Sequence, residues 1–141
     1  MNEAQTELIL IDPALKEAGW GVVEGSRIQK QYPISQGRLV GGGKRNPPLK
    51  ADYVLQYRNR NLAVIEAKAD IKHYTEGVAQ AKNYADRLQV RYTYSTNGLQ
   101  IYGMDMQKGE ESDVSTYPTP DELWEMTFAE ADSVNQDAGE W

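Results

Sequence analysis

The residues best suited to chemistry are Glu66 and Lys68, which follow the apolar run 62–65. A short run rich in Val and Ile is typical of a buried strand. Because side chains alternate along a strand, Leu62, Val64, Glu66 and Lys68 are predicted to share one face. Burying a carboxylate and an ammonium is costly unless they pair or bind something. The pattern therefore indicates either an ion pair at a sheet edge or a site.

A second carboxylate, Asp52, is brought to the same place by the chain order. Residues 49–57 alternate like a strand, 58–61 form a polar turn, and 62–68 return as the other half of a hairpin. Folding back at this turn brings Asp52 toward Glu66 and Lys68. A hard divalent cation takes oxygen ligands, which the two carboxylates and the backbone carbonyl of Ala67 would supply. Lys68 would orient an attacking water or help to deprotonate it, which is chemistry suited to phosphodiester hydrolysis.

The amino-terminal segment 2–18 is predicted to be an amphipathic helix, kinked or divided at Pro13. Glu3 and Glu7 lie on the same side of it, one turn apart. Two interpretations are open for these acids. They favour the start of a helix through its dipole, or one of them reaches the metal site.

The remaining pattern predicts an α/β domain with a mixed sheet of about five strands flanked by helices. His73, the only histidine, is expected in a loop or at a helix start. The predicted elements are strand material within 21–34, a long loop at 35–48, a helix at 74–89, strands at 91–95 and 99–104 joined by an Asn-Gly turn, a helix at 121–131, and a frayed or linking end at 132–141.

The loop at 35–48 contains Gly42-Gly43-Lys44 but is not a P-loop. The first glycine of that motif would fall at Arg38, and Arg45 stands where Ser or Thr must bind magnesium. Lys44 and Arg45 are therefore interpreted either as a basic loop that touches phosphate or as part of a plain hairpin connection.

Charge is segregated along the chain although its net value is -6. Residues 26–100 carry thirteen Lys and Arg against five acids, and both flanks are acidic. A basic middle segment is compatible with DNA despite the acidic total. The chain has no cysteine, no signal-peptide pattern and no apolar run of membrane-spanning length, so we expect no membrane partner and a cytoplasmic location.

Taken in order, Asp52, Glu66-Ala67-Lys68 and Gln80-x-x-x-Tyr84 resemble the Asp…Glu-x-Lys…Gln-x-x-x-Tyr signature of PD-(D/E)XK nucleases. The chain is most similar to the amino-terminal nuclease domain of the type I restriction enzyme R (motor) subunit, over about residues 2–125. Further matching stretches are Ile11-Asp12-Pro13-Ala14-Leu15, Lys50-Ala51-Asp52-Tyr53-Val54-Leu55 and Thr96-Asn97-Gly98.

The resemblance implies a restriction-endonuclease-like fold and Mg²⁺- or Mn²⁺-dependent endonuclease (hydrolase) activity, as in type I site-specific deoxyribonucleases. It implies that Asp52 and Glu66 are metal ligands and catalytic together with Lys68, and that an acid of the first helix takes part, with Glu3 as first choice and Glu7 as substitute. Its implied partners are double-stranded DNA and the specificity and methyltransferase subunits of a restriction complex. The residues expected to shape the site or to contact DNA are Gln80, Tyr84, Lys44, Arg45 and Lys82.

The sequence departs from the R subunit in one respect, because it has no P-loop and no helicase motifs. ATP would therefore act only through a motor domain that this chain lacks. We expect a nuclease-like domain at 1–125 and an acidic tail or linker at 126–141, leading toward that motor. A fragment and a free-standing domain are both compatible with this pattern, and the ending at Trp141 favours a fragment. The alternative function is a catalytically silent DNA-binding or structural module of a larger ATP-dependent complex.

Overall fold

One mixed sheet organises the described part of the protein. The structure is a computed structural model that describes residues 1–35, 39–40, 44–45 and 48–139, with side chains for 1–35 and 48–129. In sheet order the strands are β1 (Ser26–Pro33), β4 (Lys50–Tyr57), β5 (Arg60–Ala67), β6 (Tyr92–Thr96), β7 (Ile101–Asp105) and β8 (Glu111–Val114). Leu39–Val40 (β2) and Lys44–Arg45 (β3) pair separately as a small hairpin.

Helices cover both faces of this sheet. α3 (Val78–Leu88) connects β5 to β6, the parallel pair, and packs against both. The other face carries α4 (Pro120–Gly139) and an amino-terminal helix. The amino-terminal helix consists of α1 (Glu3–Thr6), a π-helical segment (Glu7–Ile11) and α2 (Asp12–Glu17) without a break. The predicted α/β class with a central mixed sheet flanked by helices is confirmed.

The core has one cluster on each side of the sheet. The larger lies beneath the amino-terminal helix and α4, and includes Leu15, Leu123 and Ile65. The smaller lies beneath α3, where Val64 meets Tyr84. Leu62, predicted to share a face with Val64, instead packs in the larger cluster. The register shift at Leu55/Gln56 explains this, because a bulge breaks the strict alternation of side chains.

The β4–β5 hairpin sets the position of both strands at the site. Arg58 and Asn59 have φ of 51° and 63°, in the left-handed region that both central residues of a two-residue type I′ turn require. The predicted polar turn 58–61 is therefore shorter than expected, since Arg60 already begins β5. The tight turn fixes the register that carries Asp52 toward Glu66.

Pro13 does not interrupt the amino-terminal helix, whose helical residues run on from Glu3 to Glu17. It lies in the first turn of α2, directly after the π-helical segment. A proline is tolerated at such a position because its missing N–H has no α-helical acceptor to lose there.

The structure moves three predicted element boundaries by several residues and adds one strand. Residues 21–23 form a turn, and α3 begins at Val78 because 74–77 are also turn. The polar, exposed strand β8 adds a sixth member to the sheet, and its composition gave no strand pattern. α4 continues to Gly139, beyond the predicted end at residue 131.

Among the described residues, no helix combines the length and the apolar content needed to cross a membrane.

Candidate metal centre

Asp52 and Glu66 meet where the β4–β5 hairpin faces the amino-terminal helix. The backbone N–H of Asp52 donates to Glu66 Oε2 at 2.7 Å, and the N–H of Ala67 donates to Asp52 Oδ2 at 2.8 Å. These reciprocal bonds hold each carboxylate against the neighbouring strand. The structure therefore brings Asp52 and Glu66 together, with one oxygen of each directed at a backbone donor.

An irregularity in β1 lies across from Asp52. The paired residues of β1 and β4 skip Gln31, which stands opposite Asp52 and has φ of 53°. A left-handed backbone at a residue other than glycine costs about 1–3 kcal/mol and persists only where its surroundings fix it. The ladder is thus interrupted at the residue whose N–H binds Glu66.

Glu3 and Glu7 join Asp52 from the amino-terminal helix. One carboxylate oxygen from each of the three residues lies within 4.8 Å of the other two. Ligands about 2.1 Å from one Mg²⁺ lie about 3–4 Å apart, so a small closing movement would let all three share an ion. The two first-helix acids between which the sequence left a choice are both brought to Asp52. The three-carboxylate group does not include Glu66, which the sequence had placed beside Asp52 as a ligand.

Contacts with the loop after β5 hold the amino-terminal helix over the site. The Thr6 hydroxyl accepts the N–H of Asp70 at 3.1 Å and donates to the Asn2 carbonyl at 2.8 Å. The amino-terminal ammonium binds Asp70 Oδ1 at 3.0 Å. The π-helical segment begins at Glu7 and leaves this side chain buried, 6% exposed. Single π-helical turns occur frequently at functional sites.

The electrostatics of the cluster oppose its full ionisation. Burial, and then the charge of Asp52, raises the pKa of Glu66 to about 8. Burial is also the largest cause that raises the pKa of Glu7 and the pKa of Glu3, and Asp52 adds repulsion in both cases. The charge of Lys68 acts in the opposite direction on Glu66 and Glu3. A bound cation would relieve this repulsion, as at many functional sites.

Lys68 lies beside the start of α3. Its backbone N–H donates to the Thr96 carbonyl at 2.8 Å, which continues the β5–β6 pairing to the site, and its side chain is half-buried. The neighbouring residue is Gly77, the N-cap of α3. A Cβ at Gly77 would lie 3.3 Å from Glu66 Cβ, 3.6 Å from Lys68 Cε and 2.9 Å from Ser95 Oγ. A side chain at position 77 would therefore crowd Ser95 and Glu66 and would contact Lys68.

Two residues with a part in the site were missed by the sequence analysis. Gly77 carries no local signal, since its importance comes from close packing. Lys30 lies on β1, and its Nζ is 3.1 Å from Glu7 Oε1 and 3.1 Å from Asp12 Oδ2. The position of Lys30 at the site depends on the pairing of β1 with β4, which residue spacing alone does not reveal.

Gln80 and Lys82, two of the other predicted site residues, have partners outside the carboxylate cluster. Gln80 is exposed and donates to the Tyr84 hydroxyl at 2.7 Å, whereas the Tyr84 ring is buried between α3 and the sheet. Lys82 forms an ion pair with Glu111. The side chains of Lys44 and Arg45 lie outside the described residues.

The donor set fits a hard divalent cation. It consists of carboxylate oxygens that converge from the amino-terminal helix and β4, with a lysine close by. Mg²⁺ and Mn²⁺ prefer such ligands, and water usually completes their coordination.

Comparisons with known proteins agree on one group. A family described as the N terminus of the type I restriction enzyme R protein matches residues 26–119. The Escherichia coli type I restriction enzyme EcoAI endonuclease subunit is 30% identical, over 89% of this chain and 16% of its own length. A solved fragment assigned to the HsdR subunit of a type I restriction enzyme from Vibrio vulnificus is 38% identical with a TM-score of 0.85, over 92% of this chain and 26% of that one.

The matched range includes Asp52, Glu66 and Lys68 but begins after Glu3 and Glu7. The chain spans less than a third of the length of either of these relatives.

Proposed function

We propose a nuclease function from one premise, that the chain belongs to the family of type I restriction enzyme R protein N termini. The relative from E. coli is an endonuclease subunit, which supports a nuclease role in general. Our proposal is an Mg²⁺-dependent DNA endonuclease domain of the PD-(D/E)XK type, acting within a type I restriction-modification system. The observation that carries it is the meeting of Glu3, Glu7 and Asp52 beside Glu66 and Lys68.

Each side chain of the candidate site has its own role in the proposed reaction. Asp52 and the first-helix acids would hold the cation. Glu66 is the further ligand that the resemblance implies, and the Ala67 carbonyl would add one more. A divalent cation, when bound, supplies positive charge that offsets the charge developing on the scissile phosphate. The Lys68 ammonium would donate hydrogen bonds to the attacking water, or its free amine would take the proton. In-line attack on phosphorus would then break the phosphodiester bond.

The partners are part of the proposal rather than of the family assignment. Double-stranded DNA would lie across the basic middle of the chain, where Lys72 and Arg87 are exposed. Lys82 would first have to leave Glu111. The specificity and methyltransferase subunits, the ATP-driven motor and the cytoplasmic location are proposed from the same resemblance, as is the division into a domain at 1–125 and a tail at 126–141.

Plasmid cleavage tests the proposal directly. Supercoiled DNA is incubated with Mg²⁺ and either the wild-type chain, Lys68→Ala or Lys108→Ala. We expect cleavage by the wild type and by Lys108→Ala, which loses an exposed lysine on the β7–β8 turn, and a loss of about 100-fold or more in Lys68→Ala. Equal cleavage by Lys68→Ala would remove the catalytic role of Lys68.

Metal binding separates the endonuclease from the silent module. Calorimetric titration with Mn²⁺ is expected to show binding that Asp52→Ala abolishes. Salt-sensitive DNA binding without Mn²⁺ binding or cleavage would support the alternative of a catalytically silent DNA-binding module.

A further inference from the structure

Lys30 is held in place from two directions. Its Nζ pairs with Glu7 Oε1 and with Asp12 Oδ2, each at 3.1 Å, and lies 5.1 Å from the centre of the Tyr53 ring. The Tyr53 hydroxyl in turn donates to the other oxygen of Asp12. The ammonium is therefore supported by Asp12 and Tyr53 independently of Glu7.

The backbone ties this arrangement to the metal centre. Lys30 pairs with Tyr53 across β1 and β4, and Tyr53 directly follows Asp52. The Glu7 side chain is only 8% exposed, whereas that of Lys30 is 40% exposed. The lysine thus reaches in from the surface and supplies the opposite charge that a buried carboxylate requires.

The contact restricts how Glu7 can bind a metal. A carboxylate has two oxygens, and Lys30 Nζ lies 3.1 Å from Oε1. Because the ammonium charge repels a cation at that oxygen, we expect an ion to bind through Oε2. Ca²⁺ accepts six to eight oxygens and often binds a carboxylate through both, whereas Mg²⁺ requires six ligands in near-octahedral geometry. A glutamate limited to one oxygen therefore suits the smaller ion.

We propose that Lys30 is a positioning residue that limits Glu7 to a single metal-facing oxygen and makes the site select a small, six-coordinate divalent cation over Ca²⁺. This inference rests on the proposed function, because it assumes that a cation occupies the carboxylate cluster.

Calorimetry with Mn²⁺ and with Ca²⁺ tests the proposal on the wild-type chain, Lys30→Gln and Lys30→Arg. In Lys30→Gln we expect Mn²⁺ affinity to fall about tenfold, as is usual when a residue that orients a ligand is lost. Ca²⁺ affinity should fall less or rise, because Glu7 Oε1 becomes available. The ratio of Mn²⁺ to Ca²⁺ affinity should therefore fall, and Lys30→Arg, which keeps the charge and the pairing, should restore it to within about threefold.

Two controls make the result specific. Lys16→Gln removes an exposed lysine of α2 and should leave the affinity ratio unchanged. Circular dichroism establishes whether each variant is folded. If Lys30→Gln is unfolded, the test rests on Lys30→Arg. A wild-type affinity ratio in Lys30→Arg supports the proposal, and a shifted ratio overturns it.

Other outcomes count against the proposal at different levels. An equal loss of Mn²⁺ and Ca²⁺ affinity in Lys30→Gln would reduce Lys30 to a structural ion pair and overturn the inference alone. A wild-type chain that binds neither ion at an Asp52-dependent site would overturn the proposed function as well.

Discussion

Two buried carboxylates, Asp105 and Glu66, have opposite electrostatic environments. Asp105, at the end of β7, receives Arg91 Nε at 3.0 Å and Arg91 Nη2 at 2.9 Å, and it also accepts the N–H groups of Gln107 and Lys108. Burial alone would raise the pKa of Asp105, but these donors outweigh it and lower the pKa. Glu66, by contrast, faces Asp52, and its pKa is raised.

The difference separates a structural carboxylate from one available for chemistry. Asp105 has its opposite charge and its hydrogen bonds inside the fold, so nothing further is needed to stabilise it. Glu66 and its neighbours Asp52, Glu3 and Glu7 share too little positive charge, which leaves the group able to bind a proton or a cation. Burial of an acid is thus uninformative until its partners are known.

The largest expected effect is a loss of stability when the structural carboxylate, Asp105, is replaced. Asp105→Ala leaves the Arg91 side chain, 8% exposed, without its carboxylate. Loss of one partner of a buried ion pair costs about 3–5 kcal/mol, so the free energy of unfolding in urea should fall by that amount. Asp86→Ala, on the exposed face of α3, should change it by less than about 0.5 kcal/mol. A loss of stability no larger for Asp105→Ala than for Asp86→Ala would show that Asp105 is not a structural carboxylate.

A divalent cation should act on the other cluster. Mg²⁺ at about 100 times its dissociation constant should raise the free energy of unfolding by about 2.7 kcal/mol, because it binds only the folded chain. Thermal denaturation with Mg²⁺ or EDTA measures the change. Asp52→Asn should lose the response and Asp105→Asn should keep it. A response that survives in Asp52→Asn would place the cation elsewhere.

The smallest effect concerns pH in the absence of metal. Unfolded Glu66 releases its proton near pH 4.5, whereas the folded residue keeps it until about pH 8. The folded state therefore binds more protons in this window, and its contribution to stability falls as pH rises and levels off above about pH 8. Glu66→Gln removes this dependence, so it should equal the wild type in stability near pH 4 and exceed it at pH 8. Urea unfolding in EDTA at pH 4 and pH 8 measures the difference in free energy of unfolding between the two proteins. A difference that is the same at both pH values would contradict the prediction.

The sequence predicted the parts of the site that depend on local periodicity. Alternation along 49–57 and the turn after it were enough to predict that Asp52 approaches Glu66, and the fold class followed from the same elements. The family resemblance stated from the Asp…Glu-x-Lys order is confirmed by the match over 26–119. The catalytic and metal-binding roles stay predictions.

Long-range register and close packing could not be predicted in the same way. Lys30 reaches Glu7 only because β1 pairs with β4, and Gly77 matters only because α3 begins against Glu66. The bulge that moves Leu62 to the other face breaks the alternation on which the strand prediction relied. β8 is held in the sheet by pairing with β7 and carries too few apolar residues to show a strand pattern.

The π-helical segment Glu7–Ile11 sets the direction in which Glu3, which precedes it, leaves the helix axis. A π-helical turn amounts to one residue inserted into an α-helix, and each α-helical residue advances the chain by about 100°. Deleting Ile9, which is 55% exposed, would restore an α-helical count and swing Glu3 by about that angle, while Leu15 remained in the core. Such a deletion would separate Glu3 from the other acids of the cluster without replacing any of them. The number of residues in this segment is therefore itself part of the site.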